Sequence, residues 1–279
     1  TNGWVWENTL TYSKTLADHS LTALLGYTSE YTKASYQSES KQGTPNNTPE
    51  MQTFNAATSQ PLVSGGYTVN TMISWLGRIN YSFRDKYLLT ASVRRDGSSK
   101  FSPDYQWGTF PSFSLGWRIN NEEFFKNLGA DFISNLKLRA GWGQIGNLSL
   151  PVNYAYVSQV ASTPTGYIDN RYIFGGVVSN GYSVSTIGTP NLTWETTQQT
   201  NFGVEIAFLK NTLSVAADYY IKNTNNMLLQ VPTVMYAGYP STPYTNAGSV
   251  QNKGIEIVVN WKGKSGDFNY GVSVNGSMF

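Results

Sequence analysis

The stretch Ile73-Ser-Trp-Leu-Gly-Arg-Ile-Asn-Tyr-Ser-Phe-Arg-Asp-Lys-Tyr-Leu-Leu-Thr-Ala-Ser-Val-Arg94 decides how this chain is read. Ile73, Trp75, Ile79, Tyr81 and Phe83 fall on one parity; Ser74, Arg78, Asn80, Ser82 and Arg84 fall on the other. After the short turn Arg84-Asp85-Lys86 the alternation restarts. Tyr87, Leu89, Ala91 and Val93 then oppose Thr90, Ser92 and Arg94, with Leu88 off pattern. A period of two places successive side chains on opposite faces of a strand, so this is a β-hairpin with one apolar and one polar face.

The same pattern extends outward in both directions. It predicts ten strands, at 2–15, 20–33, 68–83, 87–95, 107–119, 134–144, 191–208, 212–222, 248–262 and 267–279. Each reaches the roughly 9–11 residues that a tilted strand needs to cross a bilayer. The connections alternate between short (Leu16–His19, Arg84–Lys86, Leu209–Asn211, Gly263–Gly266) and long (34–67, 96–106, 145–190, 223–247). The segment 120–133 breaks the short series. Its Asn120-Asn-Glu-Glu-Phe-Phe-Lys run predicts a short helix with an Asn cap. One greasy and one wet face, repeated with lopsided connections, is the pattern of an antiparallel transmembrane β-barrel, short turns toward the periplasm. A soluble β-sandwich shows the same alternation, but its strands are shorter. Here ten of 11 prolines also lie outside the predicted strands, Pro111 being the exception.

Charge sorting supports the barrel. Leu136, Leu138, Ala140 and Trp142 oppose Lys137 and Arg139; Phe202, Val204 and Ile206 oppose Glu205; Ala217 and Tyr219 oppose Asp218; Ile255 and Ile257 oppose Glu256. Arg78, Arg94, Arg139, Glu205, Asp218 and Glu256 are therefore the expected lumen-facing charges. A Lys or Arg on the lipid face at midplane would cost about 2–4 kcal/mol. Trp4, Trp6, Tyr12, Trp117, Trp142 and Trp261 lie near strand ends, where an interfacial aromatic belt belongs.

Composition narrows the chemistry. Charged residues make up 13% of the 279, about half the usual ~25% of a soluble domain. No run of 18 apolar residues exists, so no membrane-spanning helix is expected. The net charge of +2 disfavours nucleic acid as a partner. There is no cysteine and one histidine, His19 beside Asp18 in a turn. That composition leaves no His/Cys metal site, and a Ser–His–Asp triad would have to use this one turn residue. The carboxylates Glu195, Glu205, Asp218 and Glu256 share the polar parity. They read as cross-strand ion-pair partners before they read as a glycosidase pair. Gly141-Trp-Gly-Gln-Ile-Gly146 spells a dinucleotide-binding pattern but is followed by a Ser/Pro-rich loop, not a helix. Asp96-Gly97 is expected to cap the strand in a turn. No catalytic residue, metal or cofactor is expected. Tyr167, Tyr172, Tyr236 and Tyr239 in the long loops are candidate substrate contacts, and equally candidate loop packing.

Several ordered blocks carry a resemblance. Residues 78–101 (RINYSFRDKYLLTASVRRDGSSKF), 110–119 (FPSFSLGWRI), 138–147 (LRAGWGQIGN), 192–197 (LTWETT), 218–223 (DYYIKN) and 252–256 (NKGIE) resemble the SusC/RagA family of TonB-linked outer-membrane proteins of the Bacteroidetes. The resemblance implies a 22-stranded barrel with an N-terminal plug. It also implies a SusD-like surface lipoprotein as lid, the inner-membrane TonB complex as energy source, and a glycan or an oligopeptide as cargo. Thr1-Asn-Gly-Trp4 and Asn275-Gly-Ser-Met-Phe279 both sit inside strand patterns. The chain is therefore expected to be a barrel segment of about ten strands from a longer outer-membrane importer. A soluble all-β carbohydrate-binding or hydrolytic domain is the alternative, and the surroundings of the apolar faces discriminate the two.

Overall fold

The computed structural model describes residues 1–130, 132–161, 171–234 and 241–279. In chain order the strands are β1 (Asn2–Leu16), β2 (His19–Ser40), β3 (Leu62–Phe83), β4 (Tyr87–Ser98), β5 (Trp107–Arg118), β6 (Ile133–Asn147), β7 (Gln159–Ala161), β8 (Arg171–Phe174), β9 (Val177–Asn180) and β10 (Ser183–Thr186). They continue with β11 (Glu195–Phe208), β12 (Leu213–Asn225), β13 (Leu228–Gln230), β14 (Tyr244–Asn246), β15 (Ser249–Ser265) and β16 (Phe268–Met278). The ten long strands form one sheet in the order β1-β2-β3-β4-β5-β6-β11-β12-β15-β16. Each neighbouring pair is antiparallel. The sheet is an open section of barrel wall, with β1 and β16 at its edges. The short strands form separate two-stranded pieces within the long connections.

All ten expected strands are present, and the differences lie at their ends. β2 and β3 keep pairing as far as Ser40 and Leu62, through much of what reads as a loop in sequence. Cross-strand contacts hold this ribbon together: the Tyr36 ring lies against Gly66, and Lys33 sits 4.4 Å above the Tyr67 ring. The ribbon is rich in Ser and Gly and has no apolar alternation, so periodicity does not reveal it. β11 begins at Glu195 rather than 191, because Leu192 and Trp194 turn inward. Asp96 and Gly97 stay within β4 with no left-handed backbone. Gly97 is required for another reason, since a Cβ there would press into the Trp107 ring. Only four residues, Glu123–Lys126, form α-helix after a 3₁₀ turn at Ile119–Asn121. Its cap is Glu122 rather than an Asn, and no side chain caps it.

Residues opposite one another in an antiparallel pair share a face. Tyr81, Leu89, Leu115, Ala140, Phe202, Tyr219, Ile255 and Met278 thus form one apolar row across eight strands. The next row reads Ser82, Leu88, Gly116, Arg139, Gly203, Asp218, Glu256 and Ser277 on the opposite face. Leu88, off pattern in sequence, covers Gly116 on this polar face. Among the described residues no second sheet covers the apolar rows: Trp75, Leu115 and Phe202 are 55%, 53% and 55% exposed.

Aromatic rings mark both ends of the apolar face. Phe83, Tyr87, Trp117 and Phe124 make a chain of ring contacts at the short-turn end. Trp4 with Tyr31, and Tyr27 with both Trp6 and Trp75, do so toward the long connections. From Trp75 to Phe83 is eight residues, roughly 26 Å along a strand and about 20 Å once tilted, near the ~25 Å apolar band of an outer-membrane barrel. Arg95 lies on the apolar face at its long-loop end, its guanidinium 5.2 Å from the Trp107 ring centroid. A cation there reaches the interface while its stem stays on apolar surface.

Candidate functional site

At the centre of the polar face one cluster joins three strands. Arg139 on β6 reaches Asp218 on β12 at 2.6 Å and Glu205 on β11 at 3.2 Å, and Lys137 lies 3.7 Å from Glu205. Arg139 and Asp218 are not on adjacent strands; β11 runs between them, and the residue it presents is Gly203. A Cβ there would overlap Arg139 Nε and Asp218 Oδ1. Glycine therefore lets the guanidinium cross a strand and bind the acid beyond it. Around this cluster the face carries neutral cross-strand pairs: Thr90 Oγ1 donates to Asn80 (2.9 Å), Ser273 Oγ donates to Asn260 (2.8 Å), and Ser92–Ser112 (2.7 Å) and Thr197–Thr224 (3.1 Å) join hydroxyls. Such a face offers hydrogen bonds to a polar solute while its central charges neutralise one another.

Above the sheet, on the long-loop side, lies the one buried apolar cluster among the described residues. Phe101, Phe110, Leu150, Leu192 and Trp194 form it, flanked by Leu148, Ala155, Leu228 and Tyr244. Trp194 packs 5.2 Å from Phe101 and 5.3 Å edge-on to Phe110, and its indole N–H donates to the Gln106 carbonyl at 3.1 Å. Polar side chains tie the connections together. Lys100 Nζ donates to the Leu150 carbonyl at 2.7 Å, Ser102 Oγ to Pro190 at 2.8 Å, and Thr189 Oγ1 to Tyr244 at 2.6 Å. Asn246 donates to the Thr193 carbonyl and accepts from the Thr193 N–H, both at 2.8 Å. Burial holds the Lys100 pKa below its ordinary value. Gly146, last residue of the dinucleotide-like pattern, sits against the Phe110 ring, where a side chain would collide. Its glycine serves loop packing, and no nucleotide fold surrounds it.

At the short-turn side Glu122 gathers three donors. Lys86 Nζ is 2.8 Å, Tyr87 OH 2.7 Å and Trp117 Nε1 3.0 Å from its carboxylate. The belt rings thus have their polar tips satisfied by one acid. These hydrogen bonds, Lys86 first, bring the Glu122 pKa from 4.5 to about 2. A lowered carboxylate pKa stabilises the folded state fully above the unfolded value and loses that contribution as pH falls through the folded one. Glu122→Gln is therefore expected to lower the thermal midpoint of the full-length barrel by a constant amount between pH 5 and 8. The gap to wild type should close as pH falls from about 4.5 toward 2. Heat-modifiable gel migration across a pH series measures this; a gap unchanged at low pH would remove the charge explanation.

All six expected lumen charges lie on the polar face. Arg139, Glu205 and Asp218 are brought together; Arg94 pairs within its own strand with Asp96 at 2.7 Å. Arg78 and Glu256 make no ion pair among the described residues. Tyr172 lies exposed on the β8–β9 hairpin beside Phe174, while Tyr167, Tyr236 and Tyr239 fall outside the described residues. His19 contacts Tyr81 OH at 2.6 Å and packs on Phe83 within the belt. No cluster of three or more potential metal ligands occurs among the described residues. Sequence reasoning missed Gly203 and the loop cluster, for which Leu192 and Trp194 at the polar end of a predicted strand were the only signal.

Comparison with known proteins adds a second line of observation. The family model "TonB dependent receptor-like, beta-barrel" matches residues 1–278. TonB-dependent receptor P39 of Formosa agariphila is 35% identical over 256 residues, covering 91% of this chain and 23% of its own length. TonB-dependent receptor SusC of Bacteroides thetaiotaomicron is 36% identical over 211 residues, covering 75% of this chain and 20% of its own. A solved structure of the RagAB peptide transporter superposes with a TM-score of 0.80 at 27% identity, covering 99% of this chain and 29% of that one. The chain thus spans about a quarter of the length of the curated relatives it matches.

Proposed function

Because this chain belongs to the TonB-dependent receptor-like β-barrel family, we propose that it forms part of the wall of a SusC-like outer-membrane importer of oligosaccharides or oligopeptides. One observation carries the reading: an apolar face that no second sheet covers among the described residues backs directly onto a polar face whose central charges pair with one another. Such a wall has hydrocarbon on one side and water on the other. It does not suit a soluble domain, whose apolar rows would need a second sheet.

In this reading a polar nutrient is held between a SusD-like surface lipoprotein and the long connections. It then passes along the polar face once the plug moves, with energy supplied through the TonB complex. The chain makes and breaks no covalent bond. The hydroxyl and amide pairs around Arg139 offer exchangeable hydrogen bonds suited to a moving polar solute. The folded loop cluster gives the surface side a rigid base on which a lid can close. Peptides are the cargo of the RagAB relative; glycans suit the same neutral lining.

Two measurements test the proposal. Cells carrying the full-length protein are expected to take up labelled oligosaccharide or oligopeptide only while the proton gradient is intact. Uptake that survives its collapse would overturn the importer reading. On the wall itself, Leu138→Arg on the apolar face is expected to cost about 2–4 kcal/mol of barrel stability, whereas Asn201→Lys on the polar face costs little. Equal costs in unfolding titrations from detergent or lipid would mean the faces are misassigned.

A further inference from the structure

One depression on the polar face is made by missing side chains. Gly141 and Gly143 are successive same-face positions on β6, so between Arg139 and Ile145 this strand presents bare backbone. The strands on either side are not bare. Ser112 and Ser114 of β5 lie opposite Gly143 and Gly141, and Gln199 and Asn201 of β11 lie opposite the same two glycines. The result is a slot of about 410 Å³ along β6, with Lys222 of β12 at its edge beyond Gln199. Register puts all of these side chains on one face. Phe113 and Trp142 border the slot through backbone, since their rings, 5.7 Å apart, belong to the apolar face.

Backbone geometry does not require the glycine at 141. Neither glycine is left-handed, and a Cβ at Gly141 would meet its neighbours only at 3.6–3.7 Å, an ordinary contact. Glycine inside a strand weakens it, and often marks a place where a ligand approaches closely. The slot also joins two features already described. Arg139, the next same-face residue on β6, begins the ion cluster; Phe110, two residues from Ser112 on β5, belongs to the loop cluster. It therefore runs along the strand direction from the loop side into the wall.

Width, period and chemistry say what fits. The slot walls stand two strand spacings apart, about 10 Å, which accommodates one extended chain. Groups on each wall recur every second residue, at about 6.6–6.8 Å, and so do the backbone groups along one edge of an extended peptide. Gln199 Nε2 donates to Asn201 Oδ1 at 2.9 Å. That leaves the Gln199 carbonyl to accept and the Asn201 amide to donate, the complement of a peptide unit. No ring among the lining residues faces the slot, so a sugar has nothing to stack on. Ile145, 66% exposed on an otherwise polar face, offers contact to an apolar side chain. Lys222, exposed and without an ion-pair partner among the described residues, offers contact to a carboxylate.

We propose that this slot binds an extended stretch of peptide cargo, with Ser112, Ser114, Gln199 and Asn201 on its backbone and Lys222 on a carboxylate. The inference rests on the importer reading above and narrows its cargo to peptides.

The test uses cells carrying the full-length protein, offered a labelled casein digest and, separately, labelled starch oligosaccharides. Wild type is expected to import the peptides while the proton gradient is intact. Gly141→Leu, which fills the slot, is expected to lower the saturating rate of peptide uptake at least tenfold. Ala140→Leu adds the same bulk to the opposite face and should leave uptake unchanged. Lys222→Gln should raise the half-saturating concentration of acidic peptides about tenfold and leave that of uncharged ones; Lys222→Arg should restore it. The lysine variants keep the test decisive if Gly141→Leu fails to assemble, which heat-modifiable gel migration reads. A photocrosslinking residue at Thr90, on the slot's far side, should capture peptide during uptake. If neither pool enters under the gradient, the importer reading itself fails. If oligosaccharides alone enter, the importer stands and the peptide slot is overturned. It is likewise overturned if peptide uptake ignores both Gly141→Leu and Lys222→Gln, or if the crosslinker captures only the protein's own residues.

Discussion

Trp194→Ala is expected to remove about 3–5 kcal/mol from the folded loop cluster, in the range measured for large aromatic deletions from packed cores. Trp194 is 4% exposed and touches both Phe101 and Phe110. Its loss opens a cavity that strands cannot collapse into, because the rings it leaves are anchored on β5 and on the β4–β5 connection. It also removes one of two donors to the Gln106 carbonyl, which keeps the Ser98 N–H at 3.0 Å, so the lost hydrogen bond adds only about 0.5–1.5 kcal/mol. The effect should be local. Hydrogen exchange should accelerate by two orders of magnitude or more in residues 99–106, 148–158 and 187–194 while the ten-stranded sheet keeps its protection. Trp194→Phe should restore most packing and lose only the hydrogen bond. Unchanged exchange in those segments would show that the cluster is not a cooperative unit. The matching substitution at Trp261, which is 56% exposed, should leave these loops untouched.

Gly203→Val sets two principles against each other. Valine has the higher strand propensity, and Gly203 has no left-handed backbone, so local preference predicts stabilisation. Space predicts the reverse, because the new side chain must displace Arg139 from Asp218. Breaking a buried ion pair costs about 3–5 kcal/mol. Arg139 is 40% and Asp218 25% exposed, so solvent screening reduces the expected loss to about 2–4 kcal/mol. The space argument should win. A double-mutant cycle with Arg139→Met separates the two: with the guanidinium absent Asp218 is no longer held over Gly203, and the loss from valine should shrink to what moving the Asp218 side chain costs. An equal loss in both backgrounds would mean Gly203 serves the backbone and not the ion cluster.

Much of the architecture was legible before any coordinates. The ten strands follow from a period of two, since a strand with one wet and one greasy side must alternate. Short turns leave the two strands of each hairpin little choice but to pair, whereas pairing across the long connections, as between β6 and β11, is seen only in the structure. What periodicity missed had no two-sided environment to impose a pattern. The ribbon of Ala34–Ser40 against Leu62–Thr68 stands clear of β4, which pairs only from Met72 onward, so no face of it is consistently buried. The Asp96-Gly97 expectation failed because glycine can mean either a left-handed turn or a closely approaching ring. Only the position of Trp107 decided between them. Likewise the acids after Asn120 suggested a capped helix, while in space Glu122 serves Lys86, Tyr87 and Trp117.

The candidate site divides along the same line. That Arg139, Glu205 and Asp218 share a face could be counted off the chain, because parity alone assigns a face. That Arg139 binds an acid two strands away depends on register, which sets Gly203 between them. Amino-acid order by itself therefore determined the strand inventory and which side chains face together, because those properties repeat every two residues along the chain; a soluble sheet repeats the same way, and the uncovered apolar face together with the family match separated the two. Only the tertiary structure decided the Trp194 loop core and the crossing over Gly203. Each is built from residues far apart in sequence whose meeting depends on strand register and chain packing, which no local period encodes.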